Sequence, residues 1–170
     1  GAEHRKSLTS AYNQYTRTTT DPAYSAEREN YQMLVRPLFI TSFMLADFLQ
    51  DNAFFGARRL VISSASSKTA YGTAFCLAAY PLRELVGLTS NGNRAFVERL
   101  GCYQRTISYG ELETLDANVP TLYVDFSGDE VLRARVHQHL GSALTYDCYA
   151  GSAQNPNFLR DTGLPGPQPQ

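Results

Sequence analysis

The chain has 170 residues, 43% of them hydrophobic and 12% aromatic, which is enough apolar material for one domain with its own core. Fifteen basic and 16 acidic residues leave a formal net charge of -1, a balance that argues against nucleic acid or an anionic membrane as partner. No apolar run reaches the roughly 20 residues of a bilayer span and no signal-peptide pattern opens the chain, so the expected location is the cytoplasm.

Residues 1–30 are polar and tyrosine-rich ("SAYNQYTRTTTDPAYSAEREN") without a period. They read as an irregular segment that covers other structure. Residues 31–56 read as a linker helix, because Leu38, Thr41, Leu45, Phe48 and Leu49 recur at helical spacing. Pro37 is placed near the start of that helix, where proline is tolerated, and "FFGARR" ends it.

Residues 57–152 then alternate in type. "RRLVISS" reads as a strand and "KTAYGTAFCLAAY" as a helix rich in small residues. "ELVGLTS" and "NRAFVERLG" repeat the pair, and "QRTISY" is a third strand. "PTLYVDFSG" is a fourth strand, followed by the helix "DEVLRARVHQHLG" with Asp129 as N-cap and Gly141 past its end; "ALTYDCYAG" is a fifth. This alternation predicts α/β structure, a Rossmann-type doubly wound parallel sheet with helices on both faces. Right-handed crossovers bring the carboxyl ends of such strands to one edge, where ligands bind. The tail, residues 153–170, ends in "DTGLPGPQPQ" and is expected to be extended or disordered.

The loops at that edge carry the candidate chemistry. After the first strand stand Ser64, Ala65, Ser66, Ser67, Lys68 and Thr69. A phosphate needs backbone N–H groups at a helix start and small side chains that let it approach. Serine and alanine are the next smallest after glycine, and Lys68 adds a positive charge. A plain N-cap followed by a solvated lysine fits the same residues. After the second strand stand Thr89, Ser90 and Asn91, with Arg94 one turn on. A carboxylate there would favour the 2′-hydroxyl of NAD; hydroxyls, an amide and a guanidinium favour the 2′-phosphate of NADP(H) over NAD(H). The plain alternative is a helix cap and an exposed arginine. Tyr109 follows the third strand, and Asp125-Phe126-Ser127 the fourth, with Asp125 able to bond a ribose or to cap a helix. Gly151 ends the fifth strand and leaves room for a nicotinamide ring.

Several chemistries are argued against. The only lysines are Lys6 and Lys68, with Ala2 and Ser64 four residues before them, so the Tyr-x-x-x-Lys pair of short-chain dehydrogenases is absent. No Walker phosphate loop occurs. A methyltransferase would want an acid after the second strand. Cys76, Cys102 and Cys148 are three, widely spaced, and suit buried thiols in a reducing compartment. His137 and His139 point to different helix faces and are expected in solvent; no metal site is expected. No residue stands out as general acid or base, Tyr12 and Tyr15 being the nearest candidates.

"RRLVISSASSKTAYGTAFCLA", "VGLTSNGNRAFVERLGCYQRTISYGEL" and "LYVDFSG" resemble a bacterial family of unknown function related to the medium-chain dehydrogenase/reductase superfamily, quinone oxidoreductases included. "YNQY", "DPAY" and "RPLFITSFMLADFL" extend the likeness to about residues 4–151. The resemblance implies an NADP(H)-binding domain of a zinc-independent reductase, whose small-molecule substrate is held by a catalytic domain absent here. It implies pyrophosphate at Ser66, Ser67, Lys68 and Thr69, the 2′-phosphate at Ser90 and Asn91, and Tyr109 beside it. A homodimer is compatible with it. Quinone oxidoreductases often carry a lysine where Asn93 stands. The alternative is a non-catalytic nucleotide-sensing or interaction module of the same fold.

Overall fold

The computed structural model describes Glu3 and residues 15–80, 84–151 and 163–170, and the chain divides into two compact units, Gly1–Arg36 and Pro37–Gln170. In the first unit, short 3-10 turns at Thr18–Thr20 and Ala26–Arg28 precede helix α1, which spans Glu29–Asp51. Asp21 accepts from the Ala23 N–H and pairs with Arg36. The Gln32 side chain donates to the Ala23 carbonyl at 2.6 Å and accepts from the Ser25 N–H at 3.1 Å. These side chains do the ordering in a segment that has no hydrophobic period, which is why it is turn-like rather than regular.

Pro37 lies well inside α1 rather than near its start, which corrects the sequence expectation. The helix survives because a proline removes one N–H bond locally, and the 23-residue element has many others. A second expectation also needs correcting. Residues Ala26–Asp51 form one helical stretch of 26 residues, long and apolar enough by composition to cross a membrane. The isolated polar residues within it broke the apolar run in the sequence without breaking the helix. Within the second unit α1 buries Ser42, Ala46 and Leu49, while Phe39, Ile40, Phe43, Met44 and Phe48 remain exposed.

The second unit is a five-stranded parallel sheet ordered β3-β2-β1-β4-β5. Its strands are β1 (Arg59–Ile62), β2 (Glu84–Thr89), β3 (Arg105–Ser108), β4 (Thr121–Asp125) and β5 (Leu144–Tyr149). The helices are α2 (Lys68–Leu77), α3 (Arg94–Leu100) and α4 (Glu130–Leu140). β-branched and aliphatic runs such as Leu60-Val61-Ile62 are buried on both sides, as central parallel strands must be. Successive side chains go to opposite faces. Leu60, Ile62, Leu122 and Val124 join Ala70, Ala74 and Leu77 of α2 and Leu49 of α1. Val61, Val86, Leu88 and Tyr123 join Leu132, Val136 and Leu140 of α4. Helices thus cover both faces. The strand order reverses between β1 and β4, which opens a crevice at their carboxyl ends.

Two local features position this frame. Gly72 lets α2 approach α1, since a Cβ there would sit 2.6 Å from the Ser42 hydroxyl oxygen. Ser42 Oγ in turn lies 2.9 Å from the carbonyls of Leu38 and Thr69. Between α1 and β1, Ala53, Phe54 and Phe55 all take left-handed backbone angles, at φ of about 50°. Phe55 stacks on Tyr146 at 3.7 Å and buried Phe54 meets Tyr80 edge-on, contacts that hold an otherwise unfavourable turn.

The tail expectation is only partly testable, because residues 152–162 lie outside the described ones. Residues 163–170 are engaged. Gln170 donates its N–H to the Asp147 carbonyl at 3.1 Å and accepts from the Tyr149 N–H at 2.9 Å, the two bonds one residue of a parallel neighbour makes beside β5.

Candidate functional site

The turn after β1 is built around Ser63 and Ser64. Ser64 is left-handed (φ 48°), which turns the chain sharply out of the strand, and the Ser67 N–H closes the turn on the Ser64 carbonyl at 2.7 Å. Ala65 is fully buried: its N–H bonds the Leu88 carbonyl at 3.1 Å, and its carbonyl accepts from the Tyr103 hydroxyl at 3.1 Å. Gly87 makes this possible, because a Cβ there would lie 3.0 Å from the Tyr103 ring and 3.1 Å from Ala65 Cβ. Ser67 caps α2 by accepting from the Ala70 N–H. Among the described residues, the backbone N–H groups of Ser66, Lys68 and Thr69 have no internal acceptor. Lys68 is exposed at the first position of the helix.

The turn after β2 lies beside it. Thr89 is buried, whereas Ser90 and Asn91 are exposed. Asn93 donates from Nδ2 to Ser66 Oγ at 3.1 Å and so ties the two turns together. Arg94 does not stand open. Its Nη1 reaches both carboxylate oxygens of Glu111, at 3.0 and 2.8 Å, and its Nε reaches Glu98 at 3.1 Å. Glu111 follows β3 in a capping box on Ser108 and accepts from that residue's N–H at 2.8 Å and hydroxyl at 2.9 Å. The Ser108 backbone and hydroxyl donors, with Arg94 after them, pull the Glu111 carboxyl down to about 2. Tyr109, next to this box, is half-buried against the α4-side core.

At the switch point the loops after β1 and β4 are joined by Ser63. Its hydroxyl donates to Asp125 Oδ1 at 2.8 Å and accepts from the N–H groups of Phe126 and Ser127, at 2.9 and 3.1 Å. Asp125 is fully buried. Its Oδ1 also accepts from the Ser127 hydroxyl (2.7 Å), the Ser127 N–H (2.8 Å) and the Gly128 N–H (3.2 Å), and its Oδ2 from Arg133 Nη2 (2.7 Å). Burial alone would raise its pKa; the Ser127, Ser63 and Arg133 donors outweigh that, and the net shift is downward. Asp125 therefore organises two loops, and Asp129 caps α4 by accepting from the Val131 and Leu132 N–H groups. Phe126 and Ser127 are half-buried, and Gly151 is exposed with φ 110°.

The expectation that His137 is solvated is corrected. It is buried, with Nε2 2.8 Å from Asp147 Oδ2 and Nδ1 2.7 Å from the Pro165 carbonyl of the tail. Burial opposes its positive charge, but Asp147 and the Pro165 carbonyl prevail and raise its pKa. Both ring nitrogens face oxygen acceptors, a geometry that favours the doubly protonated ring. His139 is half-buried, with Nε2 2.8 Å from the Leu115 carbonyl. Arg133 completes the cluster at 4.8 Å from the centre of the Tyr149 ring. Cys76 is half-buried rather than buried, while burial pushes the Cys148 thiol up to about 12. Tyr15 is exposed, and Tyr12 lies outside the described residues. The sequence reading missed Glu111, Arg133 and Asp147, and it assigned Ser63 and Asn93 no contact of their own. A signal existed for two of them: an arginine in the middle of an otherwise amphipathic helix and an aspartate inside a buried strand each need a partner.

Residues 1–163 match the family described as "protein of unknown function (DUF2855)". The chain belongs to that family. Comparison of this DUF2855 chain with curated proteins gives no match. Among solved structures it is similar to the crystal structure of galactitol-1-phosphate dehydrogenase from Escherichia coli, with a TM-score of 0.51 and 12% sequence identity. The likeness covers 69% of this chain and 35% of that one, so the chain spans about a third of the dehydrogenase's length. It establishes the fold of the DUF2855 chain as α/β and Rossmann-like.

Proposed function

We propose that this DUF2855 domain binds a nicotinamide dinucleotide along the carboxyl ends of β1, β2 and β4, as part of an oxidoreductase whose small-molecule substrate is held elsewhere in the protein. One observation carries the reading. The N–H groups of Ser66, Lys68 and Thr69 have no acceptor among the described residues, and they open α2 directly after the central strand with a lysine beside them. Such donors at the start of a ten-residue helix suit a pyrophosphate. Lys68 adds a positive charge to these backbone donors, and the small residues Ala65 and Gly87 let the turns after β1 and β2 pack close together. The exposed Ser90 and Asn91 and the absence of an acid between residues 89 and 94 favour NADP(H) over NAD(H). The structural neighbour is a dehydrogenase, which agrees with hydride transfer, chemistry that the cofactor itself supplies.

A second reading, nucleotide sensing without turnover, has its own support. Asp125, Arg133, His137 and Asp147, which lie at and behind the switch point, are buried and bonded internally. Thermal unfolding tests the nucleotide claim: ligand that binds only the folded state raises the midpoint, by about 2.7 kcal/mol of stability at a hundredfold excess over Kd. NADP(H) should raise it more than NAD(H), and no rise with either in a folded protein rejects the claim. Turnover with a carbonyl substrate in the full-length protein separates the two readings.

A further inference from the structure

Arg94 is the one cation of the turn after β2, and the structure leaves it little freedom to meet a phosphate. Its guanidinium lies between two carboxylates, Glu98 on its own helix and Glu111 from the turn after β3. One positive and two negative charges make a trio of net charge -1 (1 − 2). Exposed ion pairs of this kind are usually worth little, because two long side chains must be held in place by nothing else. Glu111 differs. It is fixed from behind by the Ser108 N–H and hydroxyl, so its carboxylate is already ordered when it takes both oxygens to Arg94 Nη1. Those donors keep it ionised across the working pH range.

We infer that Glu111 is a specificity-determining positioning residue, which holds Arg94 in competition with the 2′-phosphate and so narrows the preference for NADP(H) over NAD(H). The inference rests on the dinucleotide reading above and deepens it. A 2′-phosphate carries roughly two negative charges and must take Arg94 from Glu111 to gain its bidentate contact. A dinucleotide with a 2′-hydroxyl makes no such demand. The selectivity of the site is thus set by a residue from the third strand's turn, 17 positions away from Arg94 in the chain.

Glu111→Gln tests this, because the glutamine carbonyl still accepts from the Ser108 N–H and the cap is kept. Calorimetric titration with NADP+ and NAD+ should show NADP+ binding tightened about five- to tenfold and NAD+ binding changed by less than about twofold. In the Arg94→Ala, Glu111→Gln double variant the gain should vanish, since it acts through Arg94. Glu111→Ala serves as a second replacement if the glutamine variant does not fold, with the same ratio as readout. An unchanged NADP+/NAD+ ratio, or a gain that persists without Arg94, overturns the inference while leaving the dinucleotide reading intact. Binding of neither cofactor to wild type or variant overturns the dinucleotide reading itself, and this inference with it.

Discussion

Asp125→Ala is the perturbation that probes the switch point most sharply. The carboxylate is 0% exposed and holds Ser63, Ser127 and Gly128 on one oxygen and Arg133 on the other. Truncation leaves Arg133, itself 3% exposed, with Asp147 3.7 Å from its Nε and the face of Tyr149 at 4.8 Å. Removing one partner of a buried ion pair costs about 3–5 kcal/mol, because the surviving charge stays desolvated. Asp125→Asn keeps an oxygen for the loop donors and loses only the charge, so about 1.5–3 kcal/mol is expected. Urea denaturation with linear extrapolation measures both, with unchanged m-values. Thermal midpoints should fall by about 2–4 °C for each kcal/mol. The pH dependence has a definite sign. The folded pKa is lowered, so the carboxylate's contribution is present above the unfolded value and lost as pH falls through the folded one. The gap between wild type and Asp125→Asn should therefore close in acid. A loss below about 1 kcal/mol for Asp125→Ala would refute the claim that this carboxylate joins the two loops.

Three further outcomes follow from the same structure. His137 has a raised pKa in the folded state, so its contribution is full below its ordinary value of 6.5 and fades as pH rises through the folded value. The urea midpoint of wild type should fall over that window, and His137→Gln should flatten the slope. Ala53 is exposed with φ 50°, so Ala53→Gly relieves backbone strain of about 1–2 kcal/mol against a smaller entropic loss, whereas Ala53→Val should destabilise by about 1 kcal/mol or more; thermal melts decide. Lys68→Glu should weaken NADP+ and NAD+ alike, by about five- to tenfold, because the pyrophosphate is common to both. A selective effect on NADP+ would place Lys68 at the 2′-phosphate instead.

Much of the frame was legible in the sequence. The alternation of "RRLVISS", "KTAYGTAFCLAAY" and "ELVGLTS" reports a parallel sheet because strands buried on both faces are largely apolar, and the five strands lie within the runs read as strands. Caps were legible too: Asp129 and Gly141 flank α4 as their chemistry requires. What escaped was long-range. Nothing in the spacing of "VHQHL" shows that Asp147 and the Pro165 carbonyl converge on His137, and nothing near Arg94 announces Glu111. The left-handed turn at Ala53–Phe55 escaped for a different reason. Its backbone is held by ring contacts with Tyr80 and Tyr146, not by the glycines that usually mark such angles.

The central claim is that the turns after β1 and β2 hold a dinucleotide, and a fluorescence titration of NADPH into the folded protein tests it most directly. The account predicts a saturable change in the wild type, displaced by NADP+ and weakened in Lys68→Glu. An unchanged NADPH signal in a protein with a cooperative thermal transition would contradict it.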